Sequence, residues 1–263
     1  MIRILALETT GKYGSAAVIT ECGRVYCASS ETEMNHLKDI ITISDEALMK
    51  AGISKNELTH VAASAGPGSF TGIRIGVTTA RTLGQMLKIP CIKVSSLEGM
   101  ALRVLDEALS AGAAYIVPCI NARRHQTYSG AWKTVSGSGS DKKQIIPVLG
   151  EKQYMIEELL GLITEKAADG GTVMFTGDGI DAYEDIIKEA FAVAGMEDRL
   201  ILAGQELRYQ DAGSVAEIAL ASAAEGKILS FDELLPEYMR LSEAEQRLRE
   251  GTLSDKIRKA VKL

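Results

Sequence analysis

The sequence predicts an α/β protein built from two copies of one β-β-β-α-β-α-β unit. In the first half, three short segments in which apolar and polar residues alternate precede two longer segments with apolar residues at helical spacing. Each of these longer segments is followed by another strand-like run. The second half repeats this order with little residue identity. Because the order of elements recurs while the residues do not, we interpret the chain as a duplicated fold.

Glycine-containing turns separate the elements of the first half, and Gly52 ends its first helix. The predicted elements are the strands Ile2–Glu8, Gly14–Thr20 and Gly23–Glu31, the helix Asn35–Ala51, the strand His60–Ala65, the helix Gly72–Lys88 and the strand Cys91–Ser95.

The second half follows a linking helix, Ser96–Ala111, and ends with an alanine-rich helix that opens at a capping box of Ser214 and Glu217. Its predicted elements are the strands Tyr115–Asn121, Gln126–Lys133 and Gln144–Leu149, the helix Glu151–Glu165, the strand Thr172–Thr176, the helix Asp181–Ala194 and the strand Arg199–Leu202.

Meander strands beside parallel strands, with helices on both faces, are typical of the actin-like ATPase (ASKHA, RNase H-like) fold with two subdomains. We assign residues 1–100 and the returning helix 213–226 to the first subdomain, 101–212 to the second, and 227–263 to a C-terminal segment and tail.

The composition argues against a membrane protein and against a dedicated nucleic-acid binder. The net charge is −6, and no apolar run reaches the ~18 residues of a membrane span. The N-terminus is typical of a strand rather than a signal peptide, and the four cysteines form no C-x-x-C pair, so we expect buried, reduced thiols in a cytoplasmic protein. If RNA is involved, we expect another subunit to supply most of the contact.

The stretch SAGPGSFTGIRIG, residues 64–76, is the first candidate site. It lacks the Walker spacing and the G-x-G-x-x-G spacing. Its backbone amides are suited to cradle an anion at the start of a helix. Alternatively, Gly66 and Gly68 only supply the conformational freedom of a strand-to-helix corner.

The first two helices carry more apolar surface than one core requires. One interpretation buries both between the layers of one domain, and the other uses their second faces as a subunit interface. The predicted interface consists of His36, Ile40, Ile43, Ala47, Ile75, Thr79, Thr82 and Met86.

Four blocks, ILALETTGKYGSAAV, SAGPGSFTGIRIGVTTARTLG, NARRHQTYSGAW and PEYMRLSEAEQR, together resemble the TsaB (YeaZ) family over most of the chain. This resemblance implies the actin-like fold and a non-catalytic scaffold that pairs with TsaD, a transferase paralogue that forms N6-threonylcarbamoyladenosine in tRNA. It also implies the ATPase TsaE as a further partner, contact with tRNA only through the complex, and a homodimer in isolation.

The sequence departs from the catalytic pattern of the paralogue. Where the TsaD family has a His-Met-Glu-Gly-His metal motif, this chain has SSLEGMAL, with Ser96 and Met100 at the two histidine positions. A hydroxyl and a thioether do not replace two imidazoles, so we expect no metal site.

The phosphate motifs also depart from those of actin-like ATPases. Glu8 replaces an aspartate on the first strand, and Asn121-Ala122-Arg123-Arg124-His125 replaces a glycine-rich hairpin. We expect no tightly bound cofactor, with ATP or ADP at most at a subunit junction. The candidate cleft residues, vestigial or shared with a partner, are Glu8, Thr9, Thr10, Gly66, Gly68 and Ser69; the alternative is that they are ordinary loop residues.

The predicted function is therefore a non-catalytic scaffold in tRNA threonylcarbamoyladenosine formation. The alternative is an autonomous actin-like small-molecule kinase or ATPase, which would explain the fold but not the altered phosphate motifs. A metallopeptidase is excluded by the loss of both histidines.

Overall fold

The computed structural model describes residues 1–30, 36–137 and 143–240, except the side chains of residues 36 and 37. Its first half forms a five-stranded sheet in the order β3-β2-β1-β4-β5, in which β1, β2 and β3 are antiparallel and β1, β4 and β5 are parallel. The elements are β1 Arg3–Glu8, β2 Ser15–Thr20, β3 Val25–Ser29, α1 His36–Ala51, β4 His60–Ser64, α2 Phe70–Leu87 and β5 Cys91–Val94.

The second half repeats this arrangement as the sheet β10-β9-β6-β7-β8, with an antiparallel β6-β7-β8 meander and parallel β6-β9-β10 pairing. The elements are α3 Ser96–Arg103, α4 Leu105–Ser110, β6 Ala113–Arg123, β7 Gln126–Val135, β8 Gln144–Met155, α5 Ile156–Ala167, β9 Thr172–Thr176, α6 Gly179–Val193, β10 Leu200–Leu202 and α7 Ala212–Ala224. The predicted duplication is confirmed.

Helices cover both faces of the first sheet. Helices α1 and α2 share one apolar cluster with the strands, and α7 packs through Val215 and Ala219 on the opposite face. The alanine-rich α7 is therefore a layer of the first subdomain, although it follows the second subdomain in the chain.

The predicted interface on α1 is wrong for Ile40, Ile43 and Ala47. These side chains are 2%, 5% and 0% exposed and belong to the core of the first subdomain, so they cannot contact a partner in this conformation. Among the α1 side chains that the structure describes, the large apolar ones that are exposed are Ile41 and Met49. The side chain of His36, the fourth predicted residue, lies outside the described part of the chain.

Several element boundaries differ from the prediction, and three of these differences have clear local reasons. The linking helix is divided at Val104 into α3 and α4. Strand β8 continues to Met155, which pairs with Gln126, so α5 begins only at Ile156. Helix α7 is capped by Asp211, whose carboxylate accepts hydrogen bonds from the first-turn amides, while Ser214 is already inside the helix.

Residues 227–240 return to the first subdomain. Leu229 pairs with Cys91 through two backbone hydrogen bonds of 2.8 Å, and Leu234 is fully buried in the first core. The Glu237 amide donates to the Ala65 carbonyl at 2.8 Å. Residues 241–263 of the predicted tail lie outside the described residues.

Cys91 and Cys119 are buried as predicted, whereas Cys22 and Cys27 are exposed. Among the described helices, none combines the length and the hydropathy that a bilayer crossing requires.

Candidate functional site

The end of β1 meets the glycine loop at a buried polar network centred on Glu8. The Glu8 side chain is 1% exposed. Its Oε1 accepts hydrogen bonds from the Thr10 amide at 2.5 Å and the Thr10 hydroxyl at 2.6 Å, and its Oε2 accepts one from the Ser64 hydroxyl. Burial raises the pKa of Glu8 above its ordinary value, and these hydrogen bonds oppose that rise.

The glycine loop closes directly over Thr9 and Thr10. The Ser69 amide donates to the Thr10 carbonyl at 2.8 Å, and the Thr9 hydroxyl donates to the Gly72 carbonyl at 2.7 Å. A Cβ atom on Gly68, whose φ is +152°, would lie 2.5 Å from the Thr10 oxygen, and one on Gly72 would lie 1.9 Å from the Thr9 oxygen. The glycines therefore allow backbone to approach backbone.

The structure thus brings the candidate cleft residues together, with their polar atoms bonded to one another. Gly66 joins the same junction, because a Cβ atom there would lie 2.5 Å from the carbonyl oxygen of Glu237. The contacts favour the interpretation of the loop as a packed corner. Its use for a nucleotide stays a prediction.

The two positions of the missing metal histidines also point into the interior. The Ser96 hydroxyl lies 3.0 Å from the Thr10 hydroxyl, and the Ser96 amide donates to the Gly66 carbonyl at 3.0 Å. Met100 is 1% exposed and packs in an apolar cluster with Ile116. Across residues 1–30, 36–137 and 143–240, no three His, Cys, Asp or Glu side chains gather as a metal site would require.

The Gly177-Asp178-Gly179 turn between β9 and α6 packs on β6. Cβ atoms on Gly177 and Gly179 would lie 2.2 and 2.6 Å from the Cys119 carbonyl oxygen, and Asp178 accepts a hydrogen bond from the Asn121 amide at 3.0 Å. Burial raises the pKa of Asp178. These contacts favour a structural turn.

An open cleft of about 480 Å³ lies on the outer side of the glycine loop, where the second subdomain and residues 237–240 meet it. We call it the arginine cleft. Its lining includes Phe70, Arg123, Arg124, Tyr128, Tyr238 and Arg240.

The turn between β6 and β7 places two arginines in this cleft with an unusual backbone. Arg123, Arg124 and His125 have φ angles of 63°, 54° and 58°. Such angles are rare outside glycine and asparagine, and a two-residue hairpin turn with both φ angles positive favours Asn-Gly. Nothing in the residue types signalled this conformation.

A stack of two rings and a guanidinium forms another wall of the arginine cleft. The ring centroids of Phe70 and Tyr238 are 4.7 Å apart, and the Arg74 guanidinium lies 4.0 Å from the Phe70 centroid. Arg74 Nε also donates to the Tyr238 hydroxyl at 2.9 Å. Both rings remain exposed, Phe70 by 46% and Tyr238 by 41%. Sequence reasoning missed this group because its members are far apart in the chain.

The outer faces of α1 and α2 carry exposed apolar side chains over the first sheet. On α2, Thr82 and Met86 are exposed, and Ile75 and Thr79 are half-buried. Met86 is 75% exposed. The predicted α2 face is therefore available to a partner, and its use as an interface stays a prediction.

The family model described as TsaD, tRNA N6-adenosine threonylcarbamoyltransferase, matches residues 29–248. The tRNA threonylcarbamoyladenosine biosynthesis protein TsaB of Bacillus subtilis (strain 168) is 28% identical over 92% of this chain and 96% of its own length. The protein of the same name from Escherichia coli (strain K12) is 27% identical over 94% and 98%.

A solved structure supports the fold. The solved structure of YeaZ from Pseudomonas aeruginosa superimposes with a TM-score of 0.67 at 21% identity, covering 90% of this chain and all of that one. At this identity the likeness concerns the fold alone.

Proposed function

This chain belongs to the TsaD family and, within it, to the TsaB (YeaZ) group, and on that premise we propose that it is a non-catalytic subunit in tRNA threonylcarbamoyladenosine formation. It pairs with a TsaD-type transferase in the cytoplasm, together with the ATPase TsaE. The contact with tRNA is made mainly through the complex, and ATP or ADP binds at most at a subunit junction.

The observation that carries this proposal is the buried network of Glu8. A carboxylate that orients a metal ion and a water molecule must offer oxygen lone pairs to open space. Both Glu8 oxygens here accept hydrogen bonds from Thr10 and Ser64 in a site closed to solvent. The side chains of Ser96 and Met100 are likewise buried.

The outer faces of α1 and α2 provide the docking surface. Both helices pack on the same face of the first sheet, and they expose Ile41, Met49 and Met86 by 56%, 74% and 75%. Burying such side chains against a partner stabilises a complex by about 1.5–3 kcal/mol each before the costs of association.

Isothermal titration calorimetry tests the proposal with the purified full chain. We expect no binding or hydrolysis of ATP by the chain alone, and saturable binding to a TsaD-type partner. Replacing Ile41→Glu and Met86→Glu together places two charges in the contact and lowers that affinity by about 10- to 100-fold. Micromolar ATP binding with turnover in the absence of a partner would instead favour an autonomous kinase or ATPase.

Val193→Glu is the matched control, because Val193 is 84% exposed and lies on α6 of the other subdomain. It should leave the affinity for the partner unchanged. Equal affinities for the wild type and the α1/α2 double variant would exclude these helices as the docking surface.

A further inference from the structure

Chemistry on the N6 atom of an adenosine requires access to a base that is not held in a duplex. In a paired A-form helix this amino group faces a deep and narrow major groove that side chains do not enter. A complex that modifies this atom must therefore hold unpaired RNA close to its active site. This inference rests on the proposed function and asks whether the chain itself contributes a contact.

The arginine cleft concentrates positive charge on a chain whose net charge is −6. Within the described residues, the guanidinium groups of Arg123 and Arg124 have no carboxylate partner. Glu237, an acidic residue that borders the cleft, forms an ion pair with Lys93 at 2.5 Å. As far as the described part of the chain is concerned, two guanidiniums at the cleft are thus available to phosphate oxygens.

The exposed rings distinguish this cleft from a site for a simple anion. Phe70 and Tyr238 are stacked on one another and remain nearly half exposed, and Tyr128 also lines the cleft. Proteins that hold single-stranded RNA combine such aromatic faces, on which bases stack, with cations that follow the phosphates. A carboxylate ligand would bind the guanidiniums and make no contact that requires the exposed surface of the rings.

The backbone of the β6–β7 turn supplies an independent argument. Left-handed φ angles at Arg123 and Arg124 cost free energy that Asn or Gly would largely avoid. Strain of this kind clusters where side chains face a ligand. Arg123 pairs with Gln126, so the two central positions of the turn, where local stability favours Asn-Gly, are occupied by Arg124 and His125.

We propose that the arginine cleft binds single-stranded RNA directly, with phosphates on Arg123 and Arg124 and a base stacked against the Phe70–Tyr238 pair. The site lies between the subdomains, on the outer side of the glycine loop. It adds an RNA contact to a subunit whose overall charge is acidic.

The double substitution Arg123→Asn with Arg124→Asn separates binding from folding. Asparagine tolerates the left-handed conformation better than arginine, so the thermal midpoint should stay equal or rise while two phosphate contacts disappear. Lys88→Asn is the matched control, since Lys88 is also a cation with a positive φ of 56° and is exposed at the end of α2, outside the cleft.

The measurement is fluorescence anisotropy of a labelled RNA hairpin with an unpaired, adenosine-containing loop, over a series of salt concentrations. The double variant should lose at least about tenfold in affinity, and its salt slope should fall by about 1.4, or ~0.7 for each lost phosphate contact. Lys88→Asn should bind like the wild type. Tyr238→Ala should weaken binding by about 5- to 150-fold through lost stacking.

Three results would overturn the proposal. The first is a double variant that binds the hairpin with wild-type affinity. The second is a wild type that binds the hairpin and a fully paired duplex equally well. The third is complete displacement of the hairpin by free AMP at concentrations close to the dissociation constant of the hairpin. Binding to a TsaD-type partner is measured in parallel. If the chain binds this partner but not the hairpin, the proposed RNA site is refuted and the proposed function still stands.

Discussion

At the scale of single residues, the Glu8 carboxylate on the first strand has a structural role, because its oxygens accept hydrogen bonds from neighbouring elements. Its hydrogen bond with Ser64 joins β1 to β4, and its hydrogen bonds with Thr10 hold the turn that follows β1. The Thr10 hydroxyl extends the network to Ser96. The sequence identified Glu8 and Ser96 as departures from a catalytic pattern. It did not indicate that the two belong to one network, because that contact depends on how α3 packs.

The pH dependence of stability tests the state of Glu8. Its pKa in the folded chain lies above the unfolded value of 4.5, so its contribution is fully present below that value and is lost as the pH rises through the folded pKa. Glu8→Gln cannot ionise. We expect the free energy of unfolding of the wild type to fall, relative to Glu8→Gln, as the pH is raised from about 4.5 toward neutrality.

Urea denaturation at several pH values measures this difference. Glu8→Ala is the companion variant, because it leaves the Thr10 amide and the Ser64 hydroxyl without their acceptor. It should be destabilised at every pH by about 1–3 kcal/mol for each buried group left unpaired. A difference between wild type and Glu8→Gln that does not change with pH would show that Glu8 does not titrate as described.

At the scale of elements, the start of α2 shows how the glycine loop works. In an ordinary helix Ala is more favourable than Gly by about 1 kcal/mol. At Gly72 the added methyl group would meet the Thr9 carbonyl at 1.9 Å, so helix and strand would have to separate. At Gly161, inside α5, nothing lies within 4 Å of the added group.

These two glycines form a matched pair for thermal denaturation. We expect Gly161→Ala to stabilise the fold by about 0.5–1 kcal/mol, and Gly72→Ala to destabilise it by about 1–3 kcal/mol, as overpacked sites do. Equal changes in the free energy of unfolding for the two substitutions would mean that Gly72 does not pack closely against the Thr9 carbonyl.

Helix α1 shows why the interface could not be predicted completely from the sequence. The spacing of α1 gives it two apolar faces, one with Ile41, Ser44 and Leu48 and one with Ile40, Ile43 and Ala47, and the prediction assigned the second face to a partner. In the structure Ser44 is 6% exposed, because its hydroxyl donates to the Ile40 carbonyl at 2.6 Å and is satisfied within the helix. The order and type of the elements followed from periodicity, whereas the face that each helix buries depended on such contacts.

The whole molecule combines two similar subdomains with a C-terminal segment that crosses between them. Glu237 is bonded to the first subdomain through Ala65, and Arg240 reaches the Ala122 carbonyl of the second at 3.4 Å. The duplicated order was predictable because each half repeats the same periodicities. The arginine cleft was not, since it joins Phe70, Arg123 and Tyr238 across distant parts of the chain.

We propose that this architecture acts by docking and performs no chemistry alone. The most direct test is threonylcarbamoyl transfer to tRNA, measured with the chain alone, with a TsaD-type transferase and TsaE alone, and with all three together. We predict no transfer by the isolated chain and a rate with all three well above that of the transferase and TsaE alone. Transfer by the isolated chain, or equal rates with and without it, would contradict the account.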